Sequence, residues 1–149
     1  MVDESSAAKD RSVPRVKDYM TGDPQTLGAG HSLLDAFLLI RRLNLHHIPI
    51  VEGGKVVGVL TDRDVARLSP SLLVPLPPDE YNRVFEATDV SKVMSRNLIT
   101  TNPEASLAVA AELLITNRLG CLPVVEAGRL VGIITVSDML RALRDLMAP

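Results

Sequence analysis

The sequence predicts a mixed α/β (α+β) fold made of two pseudo-twofold-related β-α-β-β-α repeats that pack through their sheets. Sliding the 149 residues by 74 positions aligns 16–67 with 90–141 without a gap, and 17 of the 52 pairs are identical, where ordinary residue usage gives about four. Each copy has an apolar stripe at helical spacing, followed by two β-branched runs around a turn that contains glycine. Two copies of one unit imply a shared core.

The first half of each copy reads as a short extended segment followed by a helix. Thr26 and Thr100 lie in the extended segments. Ser32 and Ser106 come next and are good N-cap residues, because a serine hydroxyl accepts a hydrogen bond from the first helical turn. Apolar residues then recur every three or four positions, which predicts the first helix of each repeat.

The second half of each copy reads as a β-hairpin followed by a second helix. The predicted strands are residues 48–51 and 56–60 in the first copy, and 122–125 and 130–134 in the second. Short turns that contain glycine join them, which favours a hairpin. Thr61 and Thr135 follow the hairpins, and both are suited to cap the second helix.

The repeats set the expected organisation of the chain. We expect a flexible N-terminal segment at 1–15, a first repeat at 16–68 and a second repeat at 90–147. The stretch between them, 69–89, contains four prolines near its start and is predicted to be a connector. Its polar part, 79–87, is predicted to form a short helix.

Composition narrows the class of protein. The formal charge is −2, and aromatic residues make up 3% with no tryptophan, so binding to nucleic acid is not expected. One cysteine excludes a disulfide framework within the chain. There is no apolar run long enough for a membrane span, and the polar start lacks the apolar stretch of a signal peptide. We therefore expect a cytoplasmic location.

A short motif occurs in both repeats and resembles a known family. The two copies are HHIPIVEGGKVVGVLTDRD and GCLPVVEAGRLVGIITVSD, preceded by similar lead-in segments at Val16–Met20 and Val90–Met94. Each copy resembles the CBS domain (cystathionine-β-synthase-type domain), and the tandem pair resembles a Bateman module. The sequence as a whole looks like the stand-alone pairs of the acetoin-utilisation accessory type.

The Thr-x-x-Asp pairs at the second helices are the main candidates for chemistry. A helix N-terminus suits phosphate, and a carboxylate can accept two hydrogen bonds from a vicinal diol. The resemblance assigns Thr61 and Thr135 to phosphate or ribose, and Asp64 and Asp138 to the ribose hydroxyl groups. The same residues also fit plain helix capping, with the aspartate favouring the first turn.

The two candidate sites are not equal in charge. Arg63 can bind a phosphate through two parallel hydrogen bonds, whereas the equivalent residue of the second copy is Ser137. The resemblance also assigns His47 to phosphate contact, although it can equally be a surface or interface histidine. We expect the first site to be the occupied one.

In the family each cleft between the repeats borrows residues from the partner repeat, which implies that His46 lies by Asp138 and Gly120 by Asp64. Adjacent residues on a strand point to opposite faces, so the two neighbouring histidines are not expected to bind one metal ion. The full set of candidate ligand-binding residues is Thr26, His46, His47, Thr61, Asp62, Arg63, Asp64, Thr100, Gly120, Cys121, Thr135, Ser137 and Asp138.

No catalytic set is visible. Cys121 is expected to be a buried, inert thiol, although a Cys/His pair with His47 is conceivable. The expected function is therefore a regulatory module that senses an adenosine nucleotide (AMP, ADP or ATP) between the repeats, with no cofactor. S-adenosylmethionine, NAD and cyclic dinucleotides are alternative ligands. A scaffold with vestigial pockets is the alternative function. A homodimer is expected, and a separate regulated enzyme or transporter is conceivable.

Overall fold

The computed structural model describes residues 13–68 and 78–149 and divides the chain into two compact units. The first-repeat unit contains residues 24–68 and 78–98, and the second-repeat unit contains 13–23 and 99–149. Residues 1–12 of the expected flexible segment and residues 69–77 of the expected connector lie outside the described residues.

The two units have the mixed α/β composition that the sequence predicts. In chain order the helices and strands are α1 (Val16–Tyr19), β1 (Thr21–Gly22), β2 (Leu27–Gly28), α2 (Leu33–Leu43), β3 (His47–Glu52), β4 (Lys55–Thr61), α3 (Asp62–Arg67), α4 (Pro78–Ala87), α5 (Leu107–Asn117), β5 (Cys121–Glu126), β6 (Arg129–Thr135) and α6 (Val136–Met147). A 3₁₀ turn spans Val90–Lys92. Among the described residues no helix is long and apolar enough to cross a bilayer.

The first-repeat unit is built on a three-stranded sheet in the order β2-β3-β4. Strands β3 and β4 form the predicted hairpin, and β2 runs parallel to β3. Ile48, Ile50 and Leu60 are fully buried under this sheet's helices. Helix α4 belongs to the same core, because Phe85 is buried and its ring lies 5.9 Å from that of Phe37. The predicted helix in the connector is thus confirmed as α4.

The second-repeat unit has the matching sheet in the order β1-β6-β5. Its hairpin, β5 and β6, has the same register and the same bulge as the hairpin of the first repeat. Leu122, Val124 and Ile134 are fully buried in its core. Ser32 and Ser106 cap α2 and α5 as predicted, each accepting a hydrogen bond from the third residue of its helix.

Each lead-in segment belongs to the compact unit of the other repeat and not to that of the repeat it precedes. Val16–Met20 precedes the first repeat but belongs to the second-repeat unit, where Val16 N donates to Ala105 O at 3.0 Å. The equivalent Val90 lies in the first-repeat unit, where its N–H donates to His31 O at 2.9 Å. Both valines are fully buried. Each sequence repeat therefore supplies part of the core of the other repeat's compact unit.

Candidate functional site

The first Thr-x-x-Asp pair forms a reciprocal cap at the N-terminus of α3. Thr61 Oγ1 accepts a hydrogen bond from Asp64 N at 3.1 Å, and Asp64 Oδ2 accepts one from Thr61 N at 2.9 Å. The other oxygen of Asp64, Oδ1, lies 3.9 Å from Arg67 Nη1. The Asp64 side chain is 20% exposed, so the carboxylate at the start of this helix is accessible to solvent.

Four charged or titratable side chains lie around this cap. His46 Nδ1 lies 2.9 Å from Asp62 Oδ2, and this hydrogen bond lowers the pKa of Asp62. His47 is paired with Thr61 across the hairpin, and its burial lowers the pKa of the imidazole. A neutral imidazole offers one acceptor and one donor to a ligand. Arg63 is exposed, and its backbone N–H donates to Asp62 Oδ1.

The second Thr-x-x-Asp pair has the same cap at the N-terminus of α6 but a different surrounding. Asp138 Oδ2 accepts hydrogen bonds from Thr135 N at 2.9 Å and from Thr135 Oγ1 at 3.1 Å. Its Oδ1 accepts a hydrogen bond from Arg141 Nη1 at 2.5 Å. The Asp138 side chain is only 4% exposed. Ser137, at the position equivalent to Arg63, is exposed and uncharged.

The remaining predicted residues lie at the strands that lead to these caps. Thr26 is half-buried one residue before β2, on the other side of β3 from the capped strand β4. Thr100 is exposed and precedes Thr101, which bridges to β5. Gly120 O accepts a hydrogen bond from Val136 N at 3.0 Å, as His46 O does from Asp62 N.

Cys121 is buried at the start of β5, opposite Thr135. Burial raises the pKa of its thiol to about 12. A thiol with so high a pKa stays protonated at neutral pH and is a poor nucleophile, because the thiolate is the reactive form. The side chain is therefore suited to packing.

The sequence analysis missed the arginine that follows each aspartate by three residues. Arg67 and Arg141 are absent from the candidate residues named from the sequence, yet each approaches the aspartate of its own repeat. Their spacing is a usable signal, since side chains three residues apart are neighbours on a helix. Both arginines are also among the identities of the internal repeat.

These two caps are the positions at which the internal repeat carries its polar motif. The family model of the CBS domain matches residues 16–71 and 90–145. The chain belongs to the CBS domain family. The CBS domain-containing protein YhcV of Bacillus subtilis is 36% identical over 124 residues, which are 83% of this chain and 81% of that protein. This CBS pair is a regulatory module rather than an enzyme, as the sequence predicts.

Solved structures share the fold of this CBS pair. The AcuB protein of Vibrio cholerae is 33% identical, with a TM-score of 0.74 over 91% of this chain and 93% of that one. The CBS pair of protein MJ0100, in complex with 5-methylthioadenosine and S-adenosyl-L-methionine, is 26% identical with a TM-score of 0.73 over 90% and 98%. CBSX2 in complex with AMP, a protein of Arabidopsis thaliana, is 25% identical with a TM-score of 0.74 over 91% and 99%. Two of these similar proteins thus have adenosine compounds bound in their structures.

Proposed function

We propose that this CBS pair is a regulatory module that binds an adenosine nucleotide (AMP, ADP or ATP), with Asp64 holding the ribose. The observation that carries the proposal is Oδ1 of the partly exposed Asp64, which has no hydrogen-bond donor of its own repeat within 3.5 Å among the described residues. Ribose hydroxyl groups are donors that such an oxygen accepts. The adenosine ligands of similar structures support the same class.

The side chains near Asp64 favour a phosphorylated ligand over S-adenosylmethionine. The exposed guanidinium of Arg63 carries a fixed positive charge and can donate two parallel hydrogen bonds to a phosphate. His47 follows the exposed His46 at the start of β3 and can donate one more from its imidazole. S-adenosylmethionine carries a sulfonium and offers these groups only a carboxylate. A nucleotide therefore uses more of this surface.

A thermal-shift screen tests the proposal. A ligand that binds only the folded chain raises the melting temperature, and the rise grows with concentration. We expect AMP, ADP or ATP to raise it more than adenosine, NAD or S-adenosylmethionine at equal concentration. A larger rise with S-adenosylmethionine would identify that compound, and not a nucleotide, as the ligand. No rise with any adenosine compound would leave the scaffold as the better function.

One surface feature supports a second property, assembly into a homodimer. Along α6 the side chains of Leu140, Leu143 and Met147 are 61%, 53% and 74% exposed, although their spacing is that of a buried helical stripe. A contiguous apolar face of this kind marks an interaction surface. We propose that a second copy of the chain covers it.

Light scattering tests the dimer. We expect a mass of twice the 16.1 kDa protomer at micromolar concentration. Leu143→Glu is expected to halve that mass, because it puts a charge into the stripe. Val84→Glu changes an equally exposed side chain on α4 and serves as the control. A wild-type mass of one protomer, or an equal effect of the two variants, contradicts the proposal.

A further inference from the structure

In both Thr-x-x-Asp pairs the helix cap uses one carboxylate oxygen of the aspartate, and the other oxygen remains for a ligand. In both repeats Oδ2 accepts a hydrogen bond from the backbone N–H of the capping threonine, at 2.9 Å from Thr61 N and from Thr135 N. That bond is part of the helix cap. The atom that remains for hydroxyl groups of a ligand is Oδ1 of Asp64 or of Asp138.

In the second repeat that atom accepts a hydrogen bond, whereas in the first no described residue of the same repeat donates one to it. Arg141 Nη1 lies 2.5 Å from Asp138 Oδ1, whereas Arg67 Nη1 lies 3.9 Å from Asp64 Oδ1, beyond hydrogen-bond distance. The carboxylate of Asp138 is 4% exposed and that of Asp64 is 20% exposed. Water therefore competes less for Asp138, and a charge-assisted hydrogen bond is stronger where the carboxylate is shielded from water.

The two arginine–aspartate distances differ because the two helices differ in length, and not because the residue types differ. Arg67 and Arg141 occupy equivalent positions of the repeat. Arg67 is the last residue of α3, a helix of six residues, while Arg141 lies in the middle of α6, a helix of twelve. A residue at a helix end is more free to move than one held between two helical turns. The Arg67 side chain is accordingly the more exposed, at 78% against 59%.

We propose that Arg141 blocks ligand binding in the second repeat. Its guanidinium donates a hydrogen bond to Asp138 Oδ1, the oxygen that would otherwise accept a ribose diol, and so keeps adenosine ligands out of that repeat. The proposal rests on the proposed function, since it assumes that these aspartates hold a ribose. A ligand at Asp138 first has to displace Arg141. A hydrogen bond to a charged group is worth roughly tenfold to a hundredfold in affinity, so the wild-type chain binds one ligand, at Asp64.

Replacing Arg141 is expected to allow ligand binding at Asp138 in the second repeat. Adenosine is the probe, because it has the diol but no phosphate that Arg141 could bind instead. In an Asp64→Ala background, which silences the first repeat, Arg141→Met removes the donors and keeps the aliphatic stem. We expect adenosine affinity, measured by calorimetry, to rise about tenfold or more. Arg67→Met in the same background is the matched control and is expected to change nothing.

One further variant makes the result decisive. Adding Asp138→Ala to the Arg141→Met chain is expected to abolish the gain, and a gain that persists overturns the assignment to Asp138. An unchanged or lower affinity of the Arg141→Met chain overturns the proposal as well, with the lower value showing that Arg141 itself binds the ligand. Failure of the wild-type chain to bind adenosine compounds counts against the proposed function alone.

A measurement without ligand tests the contact itself. The melting temperatures of Asp138→Asn, Arg141→Met and their double variant form a cycle, and we expect the double variant to lose less than the sum of the two single losses. The matched cycle, Asp64→Asn with Arg67→Met, is expected to be additive. Additive losses in the second repeat overturn the proposal, whatever the calorimetry gives.

Discussion

The two repeats share 17 of 52 aligned residues and one hairpin register, yet their polar ends differ in charge and in burial. The first repeat has Arg63 next to a half-buried Asp64, whose Oδ1 accepts no hydrogen bond from the described residues of that repeat. The second has Ser137 beside an almost fully buried Asp138, and its outward oxygen is bound to Arg141. Identical motif residues can therefore give one open and one closed carboxylate.

The strongest test of this comparison removes each aspartate in turn. Both Asp64→Ala and Asp138→Ala remove the aspartate of a capping box, and Asp138→Ala also removes the hydrogen-bond partner of Arg141. A thermal melt of each variant therefore has to show a folded chain before binding is compared. Only Asp64→Ala is expected to abolish AMP binding in titration calorimetry, whereas Asp138→Ala is expected to keep a stoichiometry near one per chain. Loss of binding in Asp138→Ala with binding intact in Asp64→Ala means that the wrong repeat has been chosen.

The next largest effect concerns the charge difference between the repeats. Arg63→Ala is expected to weaken AMP binding by roughly 1.5–3 kcal/mol, which is the value of a hydrogen bond to a charged group. This loss corresponds to about tenfold or more in affinity. Adenosine is expected to be unaffected, since it has no phosphate. Ser137→Ala, at the equivalent position, is the control and is expected to leave both affinities unchanged. Equal losses for AMP and adenosine show that Arg63 does not bind phosphate.

The fold of each repeat could be predicted from sequence because its signals are local. Ser32 and Thr61 are followed by helical periodicity, and both cap a helix in the structure. The pairing of Val16–Met20 with the second-repeat unit has no local signal, because the partner residues are about 90 positions away. The same holds for the burial of Asp138, which depends on packing around the helix rather than on the motif itself.

The lead-in segments provide a test of how far the repeats are alike. A Cβ added to Gly132 would lie 2.8 Å from Met20 Sδ and 2.9 Å from Thr21 O, and one added to Gly58 meets Met94 in the same way. Forcing an extra methyl group into a packed core costs about 1–3 kcal/mol. Gly58→Ala and Gly132→Ala are therefore expected to lower the melting temperature by similar amounts. Gly22→Ala, which has nothing within 4 Å of the added atom, is the control in thermal melts.

Comparable stability of Gly58→Ala and the wild-type chain would show that the lead-in segment 90–95 does not pack on β4 in solution. A lower melting temperature for only one of these two variants would show that the repeats pack differently at this position. Either result is distinguishable from a general intolerance of alanine in these sheets, because Gly22 is also in a strand.

The smallest expected effect lies in the hairpin turns, where the repeats differ by one residue. Gly53 has φ 57° and the equivalent Ala127 has φ 51°, both in the left-handed region. That region costs an L-residue about 1–2 kcal/mol, while glycine loses about 0.4–1 kcal/mol more backbone entropy on folding than alanine. The balance favours glycine at both positions by at most about 1.6 kcal/mol. Ala127→Gly is thus expected to raise the melting temperature by about 1–3 °C, and Gly53→Ala to lower it by a similar amount. A fall in the melting temperature of Ala127→Gly, as of Gly53→Ala, would show that the turn of the second repeat has relaxed around its alanine.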